Sequence, residues 1–278
     1  MSAVALDHVG VVARDLTALA RQYERLGFTL TPFARQSDGR IGNRCAMLQQ
    51  GYIELLSVVD PNASSATLDR FLARYAGIHI LAFAIEDEQA VLGRLRCGGI
   101  AAPSVIQLDR AIDDRDPAGP RARFALIQLP DQPEGRINLV HHLTPEALWQ
   151  DRFLHHPNNA AVLAEVMIGV GDPAEVAARL SRLVGCSAVP DPVGGFALDL
   201  PRGRVRLLPD TALPSVFPDL EVSGLPRIIG LTVCTTDGNS AIRKLLVERD
   251  IAHRRHGDAL LVDPDAAGGV ALRFLSTD

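Results

Sequence analysis

Lysine is almost missing from this chain: Lys244 is the single example among 28 basic residues in a length of 278. The other basic residues are arginines scattered along the sequence, and the formal net charge is -5. No basic stripe therefore exists for a nucleic-acid backbone to meet. Cysteine is also scarce. Cys45, Cys97, Cys186 and Cys234 lie far apart with no CxxC pair, which argues against a disulfide frame or a thiolate metal site and for small apolar residues in a reduced compartment. No stretch approaches the roughly 18 apolar residues a membrane span needs, and no basic leader precedes an apolar run. The expectation is a soluble cytoplasmic protein without nucleic-acid or membrane partners.

What is present is a repeated order of elements. The chain is 47% hydrophobic and 22% charged, so it has the material for a sizeable core. The first string, LDHVGVVARDL (Leu6 to Leu16), reads as a strand running into a helix over Thr17 to Gly27, with Asp15 as cap and Leu16, Leu19, Tyr23 and Leu26 at helical spacing. Strands follow at Phe28 to Phe33, Arg44 to Leu48 and Tyr52 to Val58, with a turn-rich loop over Ser37 to Asn43. The same order begins again at His79 to Ile85, again at Val162 to Val170, and a last time at Ile228 to Cys234. One curved sheet with a helix on its back cannot bury both faces, so copies must pair. The expected fold class is α+β: four βαβββ modules forming two paired-module domains, 1-143 and 161-278, joined by a helical connector, 144-160. Thr144 is expected to cap the connector helix, whose first residue is Pro145. Two charged or proline-marked stretches, Leu108 to Pro120 and Pro209 to Pro226, read as an exposed loop and a linker.

Alternation along strands then selects candidate residues. His8, Gly10 and Val12 are expected on the concave side of the first strand, Tyr52, Glu54 and Leu56 on one face of another, and His79, Leu81 and Phe83 on one face of a third. Two imidazoles and a carboxylate meeting in an apolar cleft suit a borderline divalent ion such as Fe, Mn, Co, Ni or Zn and leave positions open for substrate. Each residue also has a plainer reading: a hydrogen-bonded core histidine for His8, a solvated hairpin end for Glu54, a surface position for His79, a strand aromatic for Tyr52.

The strings DHVGVVARDL with YERLGF, GYIELLSV, GIHILAFAIED and GRINLVHH resemble the vicinal oxygen chelate superfamily, which includes glyoxalases, bleomycin-resistance proteins and extradiol dioxygenases. The resemblance is to its glyoxalase-like branch. It implies metal ligands at His8, Glu54 and His79, with Asn138 at a fourth position where glyoxalase I and related epimerases usually carry a glutamate. Asn138 cannot act as a general base. His142 shares the face of Asn138 and is a further candidate, the alternative being a helix-flanking or solvent-facing role.

From this resemblance the expected function is a glyoxalase-like metalloenzyme, of lyase/isomerase or dioxygenase type, acting on a small substrate that chelates a divalent metal through neighbouring oxygens. Glu54, Tyr52 and Asn138 are the expected catalytic residues. The alternative is a non-catalytic protein that sequesters a small molecule, as bleomycin-resistance proteins do. A second copy of the chain is a candidate partner. In the second half, cap-to-cap alignment places Glu165 at the His8 position, Arg206 at the Glu54 position, Ile229 at the His79 position and Ala271 at the Asn138 position, a set that cannot form the same ion site.

Overall fold

A computed structural model describes residues 3-36, 39-60, 62-100 and 104-277. Ser37 and Asp38 of the expected turn-rich loop lie outside the described residues. The first module is β1 (Ala5–Val12), α1 (Leu16–Arg25), β2 (Ala34–Arg35), β3 (Ile41–Met47) and β4 (Tyr52–Val58). After α2 (Ala66–Leu72) comes the second: β5 (Gly77–Ala84), α3 (Glu88–Cys97), β6 (Ile106–Ala111), β7 (Arg121–Gln128) and β8 (Arg136–His142). Two short helices, α4 (Pro145–Leu148) and α5 (Asp151–Leu154), lead to the third module: β9 (Ala160–Gly169), α6 (Pro173–Val184), β10 (Ala188–Pro190), β11 (Phe196–Asp199) and β12 (Arg204–Leu208). The fourth is β13 (Arg227–Thr235), α7 (Ser240–Glu248), β14 (His253–His256), β15 (Ala259–Val262) and β16 (Ala271–Ser276).

The modules pair as their repetition predicts. One eight-stranded sheet has the order β2-β3-β4-β1-β5-β8-β7-β6, and a second repeats it as β10-β11-β12-β9-β13-β16-β15-β14. At the centre of each, the first strands of two modules run antiparallel, while each pairs in parallel with the last strand of its own module.

Three of the helices start at aspartates, Asp15 as expected and Asp87 and Asp172 in the same place in later modules. Asp15 accepts hydrogen bonds from the amides of Thr17 and Ala18, Asp87 from Ala90, and Asp172 from Ala174 and Glu175. Each cap satisfies amides that the first turn leaves unpaired. Thr144 differs from expectation: it precedes α4 without capping it. Its hydroxyl instead donates to the Arg121 carbonyl and accepts from the Arg123 amide, tying the connector to β7. The segment read as a loop from Leu108 also differs, because β6 continues to Ala111 in antiparallel pairing with β7. Its mixed charges mark an exposed edge strand.

The helix-covered backs of both sheets share one apolar cluster, including Leu19, Tyr23, Leu81, Phe83, Leu180, Leu246 and Phe274. The halves are also stitched by backbone, Leu6 donating to the Arg202 carbonyl and Leu163 to that of Gln50, both at 2.9 Å.

The concave faces have different fates. On the first sheet, Leu68 and Phe71 of α2 pack against Val12, Ile41, Leu56 and Ile80, while Leu148 and Phe153 pack against Met47 and Tyr52. These two clusters close the ends and leave a cavity between them. On the second sheet, the stretch read as a linker contains a 3-10 turn, Asp210–Ser215, and Leu213, Val216 and Phe217 bury themselves among Met167, Ile229, Leu261 and Ala271. The chain's own apolar residues occupy that face. Phe217→Ala is therefore expected to lower unfolding stability by about 3-5 kcal/mol in chemical denaturation, the usual result of emptying an aromatic site in a core. A loss below about 1 kcal/mol would show that the segment rests on the face without filling it.

Candidate functional site

The first sheet's cavity, about 240 Å³, is lined by His8, Tyr52, Glu54 and Asn138 together with Ile80, Leu126, Arg110 and Arg136. Strand register explains the gathering. His8 lies beside Tyr52 on one side and Ala82 on the other, Ala82 lies beside Asn138, and Gly10 separates Glu54 from Ile80. A Cβ at Gly10 would sit 2.8 Å from Ile80 Cβ and 3.1 Å from a Leu56 methyl. The bare backbone there lets the flanking side chains approach across β1.

His79 is not in this cavity. Its ring stacks between Phe71 and Tyr75, at centroid distances of 4.7 and 4.0 Å, and its Nε2 donates to the Tyr75 carbonyl at 2.8 Å. The cause is a bulge. Gly10 pairs with Ile80 but Val11 with Ile78, so His79 is the extra residue on β5 and the alternation breaks there. Leu81 and Phe83, expected beside it in the cleft, belong to the core behind the sheet. The expected His8, Glu54, His79 set is therefore not assembled. Among the described residues, no three His, Cys, Asp or Glu side chains are placed to share an ion.

Asp7 is the matching extra residue on β1, since Leu6 pairs with Phe83 and His8 with Ala82. It is the side chain that sequence reasoning missed beside its own best candidate. The Asp7 carboxylate accepts from His8 Nδ1 at 2.6 Å and from His142 Nε2 at 2.9 Å. Burial opposes its ionisation, yet the charge and hydrogen bond of His142, with those of His8, hold the carboxyl well below the usual carboxylate range. With Asp7 ionised and accepting, the proton of a neutral His8 ring resides on Nδ1, and Nε2 presents its lone pair to the cavity.

Glu54 Oε2 lies 3.9 Å from His8 Nε2, too far for a direct hydrogen bond and close enough for one atom to sit between them. Its other oxygen accepts from the Asn43 amide at 2.5 Å. Asn43 was also missed, because its role depends on the β3–β4 pairing. Asn138 Oδ1 is buried without a hydrogen-bond partner among the described residues. Tyr52 stacks on His8 at 4.5 Å, and burial, with the carboxylates of Asp7 and Glu54, pushes its pKa well up, so its hydroxyl is a donor rather than a base. His142 reaches the site through Asp7 and packs edge-on against Trp149.

The orphaned Asn138 oxygen and the carboxylate-oriented His8 test whether a divalent ion suits these residues. An imidazole nitrogen backed by a carboxylate is a common second-sphere arrangement at metal sites. His8 Nε2 and Glu54 Oε2, 3.9 Å apart, with Asn138 lining the same cavity, are nitrogen and oxygen donors of the kind such an ion takes. Ile80 stands where the sheet's twofold repeat would place a fourth donor.

The second sheet's counterparts neutralise one another. Glu165 accepts from the Thr232 hydroxyl at 2.6 Å and from Arg273 at 3.2 Å, and Arg206 makes two 2.8 Å bonds to Asp191. Ala271 pairs with Gly230 as Arg136 pairs with Ile80, so Arg273, not Ala271, matches Asn138.

A family model described as a glyoxalase-like domain matches residues 6-184. No curated protein matches by sequence. Among solved structures, a hypothetical protein from Staphylococcus aureus aligns at 12% identity and TM-score 0.69, covering 98% of this chain and 99% of that one. A variant of 4-hydroxymandelate synthase from Streptomyces coelicolor aligns at 14% and 0.64, covering 99% and 93%. A catechol 2,3-dioxygenase aligns at 14% and 0.62, covering 100% and 89%. At these identities the likeness is one of fold. No described helix is long and apolar enough to cross a membrane.

The His79 environment has a pH consequence. Burial, aided by the nearby Arg74 and Arg227 charges and opposed by the Tyr75 hydrogen bond, lowers its pKa from 6.5 to about 4. The unfolded chain binds this proton first, so stability falls as pH drops from about 6.5 toward 4, by an amount on the order of 3 kcal/mol at most. Denaturant unfolding across that window is expected to show the fall, and His79→Leu to flatten it. An unchanged slope in the variant would show that other groups carry the dependence.

Proposed function

The chain belongs to the glyoxalase-like domain family, and from that premise we propose that it is a metal-dependent enzyme of the lyase/isomerase or oxygenase kind acting on a small substrate with neighbouring oxygens. The observation that carries the reading is His8 Nε2, oriented by Asp7, facing Glu54 Oε2 across 3.9 Å in the cavity that Asn138 also lines. His8, Glu54 and Asn138 would hold the ion, and Fe, Mn, Zn, Ni or Co all accept such donors. Bound there, a divalent ion supplies Lewis-acid stabilisation of negative charge on substrate oxygens.

The chain's own residues have distinct parts. Glu54 has one oxygen held by Asn43 and the other turned to the cavity, a fixed geometry for taking a proton from substrate. Tyr52, kept as a phenol, donates to a substrate oxygen. Asn138 accepts but moves no proton. The apolar lining, Ile41, Leu56, Ile80 and Leu126, excludes water and strengthens each polar contact.

A second reading, sequestration of a small molecule without turnover, is favoured by one feature, Ile80 in place of a fourth donor. The two are separated by metal analysis of the purified chain and by titration with Co(II), read from its ligand-field absorption. The enzyme reading expects saturable binding that His8→Ala and Glu54→Gln abolish, that Asp7→Asn weakens about 10- to 100-fold, and that His79→Ala leaves unchanged. Absence of an ion from the wild type in both measurements, with no effect of EDTA on its melting temperature, would favour sequestration.

A further inference from the structure

Two guanidiniums line the cavity, and they are not equivalent. Arg136 is engaged: its Nε donates to Asp131 at 3.1 Å, its Nη2 to the Thr67 hydroxyl at 3.2 Å, and it lies over the Phe71 ring. Arg110, half-buried on β6, has no carboxylate within ion-pair distance among the described residues. The acid next to it, Asp109, is taken by Arg121 at 2.6 Å. Arg110 instead lies beside the Cys45 thiol, and Cys45 is the cross-strand partner of Glu54. A cation without an ion-pair partner among the described residues therefore stands near the reactive pair, at the edge of a cavity lined by Ile41, Leu56, Leu68, Ile80, Phe124 and Leu126 together with Gln36, Gln128 and the engaged Asp109.

A half-buried guanidinium whose neighbour is a neutral thiol rather than a carboxylate has lost part of its hydration and gained only a weak acceptor in return. A ligand carboxylate supplies that bond in the two-pronged geometry that a guanidinium favours. We propose that Arg110 is a specificity-determining residue that selects substrates carrying a carboxylate on an apolar, ring-sized body. The carboxylate faces β6 and the reacting oxygens face His8 and Glu54. This rests on reading the cavity as the substrate site, and it deepens that reading by naming the substrate class.

The test uses phenylacetate, phenylacetamide and acetate as probes, with binding measured by calorimetry on the full chain. The wild type is expected to bind phenylacetate about tenfold or more tighter than phenylacetamide or acetate. Arg110→Gln should erase the acid-over-amide preference while leaving phenylacetamide binding unchanged, and Arg110→Lys should restore part of it. Arg136→Gln should keep the preference. Thermal unfolding of each variant checks that it is folded. Equal wild-type affinity for acid and amide, retention of the preference by Arg110→Gln, or absence of saturable phenylacetate binding at millimolar concentration would each overturn the proposal. His8→Ala and Glu54→Gln separate this from the metal reading: both lose the ion if that reading holds, and both keep the acid preference if Arg110 sets it.

Discussion

The antiparallel seam between β1 and β5 is the constraint on which the site depends. Each strand carries one residue more than its partner can match, Asp7 on β1 and His79 on β5. Side chains alternate with a period of two, so a single extra residue decides which neighbours face the cavity and which do not. On β1 the bulge places a carboxylate against the ring it must orient, and His8 follows into the cavity. On β5 the residue at the bulge is swallowed by α2 and the turn after it, and Ile80 takes the cavity position. The second sheet has the same device: Glu165 pairs with Thr232 and Leu163 with Val233, leaving Ala164 unmatched, and Ile229 is passed over between Ile228 and Gly230. The bulge is thus a property of the module, and the chemistry follows from which side chain stands at it or next to it.

Identical topology does not make two sites, because the concave face must be left open as well as formed. On the first sheet, α2 and the α4–α5 pair plug only the ends. On the second, Phe217 and its neighbours fill the floor, and the charges that remain close on each other as Glu165 with Arg273 and Arg206 with Asp191. A face whose carboxylates are paired with its own arginines and whose volume is taken by its own chain offers a small molecule little space, although Arg273 Nε stays without a partner among the described residues. The second half instead contributes to the shared core, where Tyr23 of α1 reaches the Ala267 carbonyl. It supports the sheet that carries the cavity.

Much of the architecture was legible because its signals are local. Cap aspartates, strand alternation and helical spacing each depend on a few adjacent residues, and together they gave the four modules and their pairing. The misplacement of His79 has an arithmetic cause that is also in the sequence. His8 stands seven positions before the cap Asp15, whereas His79 stands eight before Asp87. Counting from the caps makes Ile80 the second module's counterpart of His8 and His79 the counterpart of Asp7. Asp7 adjoined the chosen histidine but was read only as part of a string. Asn43 and Arg110 carried no local signal: one acts through cross-strand register with Glu54, and the other lay in a charged stretch that resembled a loop until its pairing with β7 made it a strand.

Polar balance distinguishes the working face from the silent one more sharply than residue types do. Burying the Asp7 carboxylate is tolerable because two imidazoles donate to it, and that same requirement fixes the His8 ring before any ligand arrives. Such fixation is what a reactive group needs, since a ring already oriented loses little freedom when substrate binds. Among the described residues, the cavity's polar groups include an acceptor without a donor at Asn138 and a cation without an ion-pair partner at Arg110. Groups left this way ask for an explanation, and completion by a bound ligand is one. On the proposed reading, a cation or a donor near His8 completes the acceptor and an anion near β6 completes the guanidinium. A ligand of the proposed class would complete both, its anionic group toward β6 and its electron-rich oxygens toward His8 and Glu54.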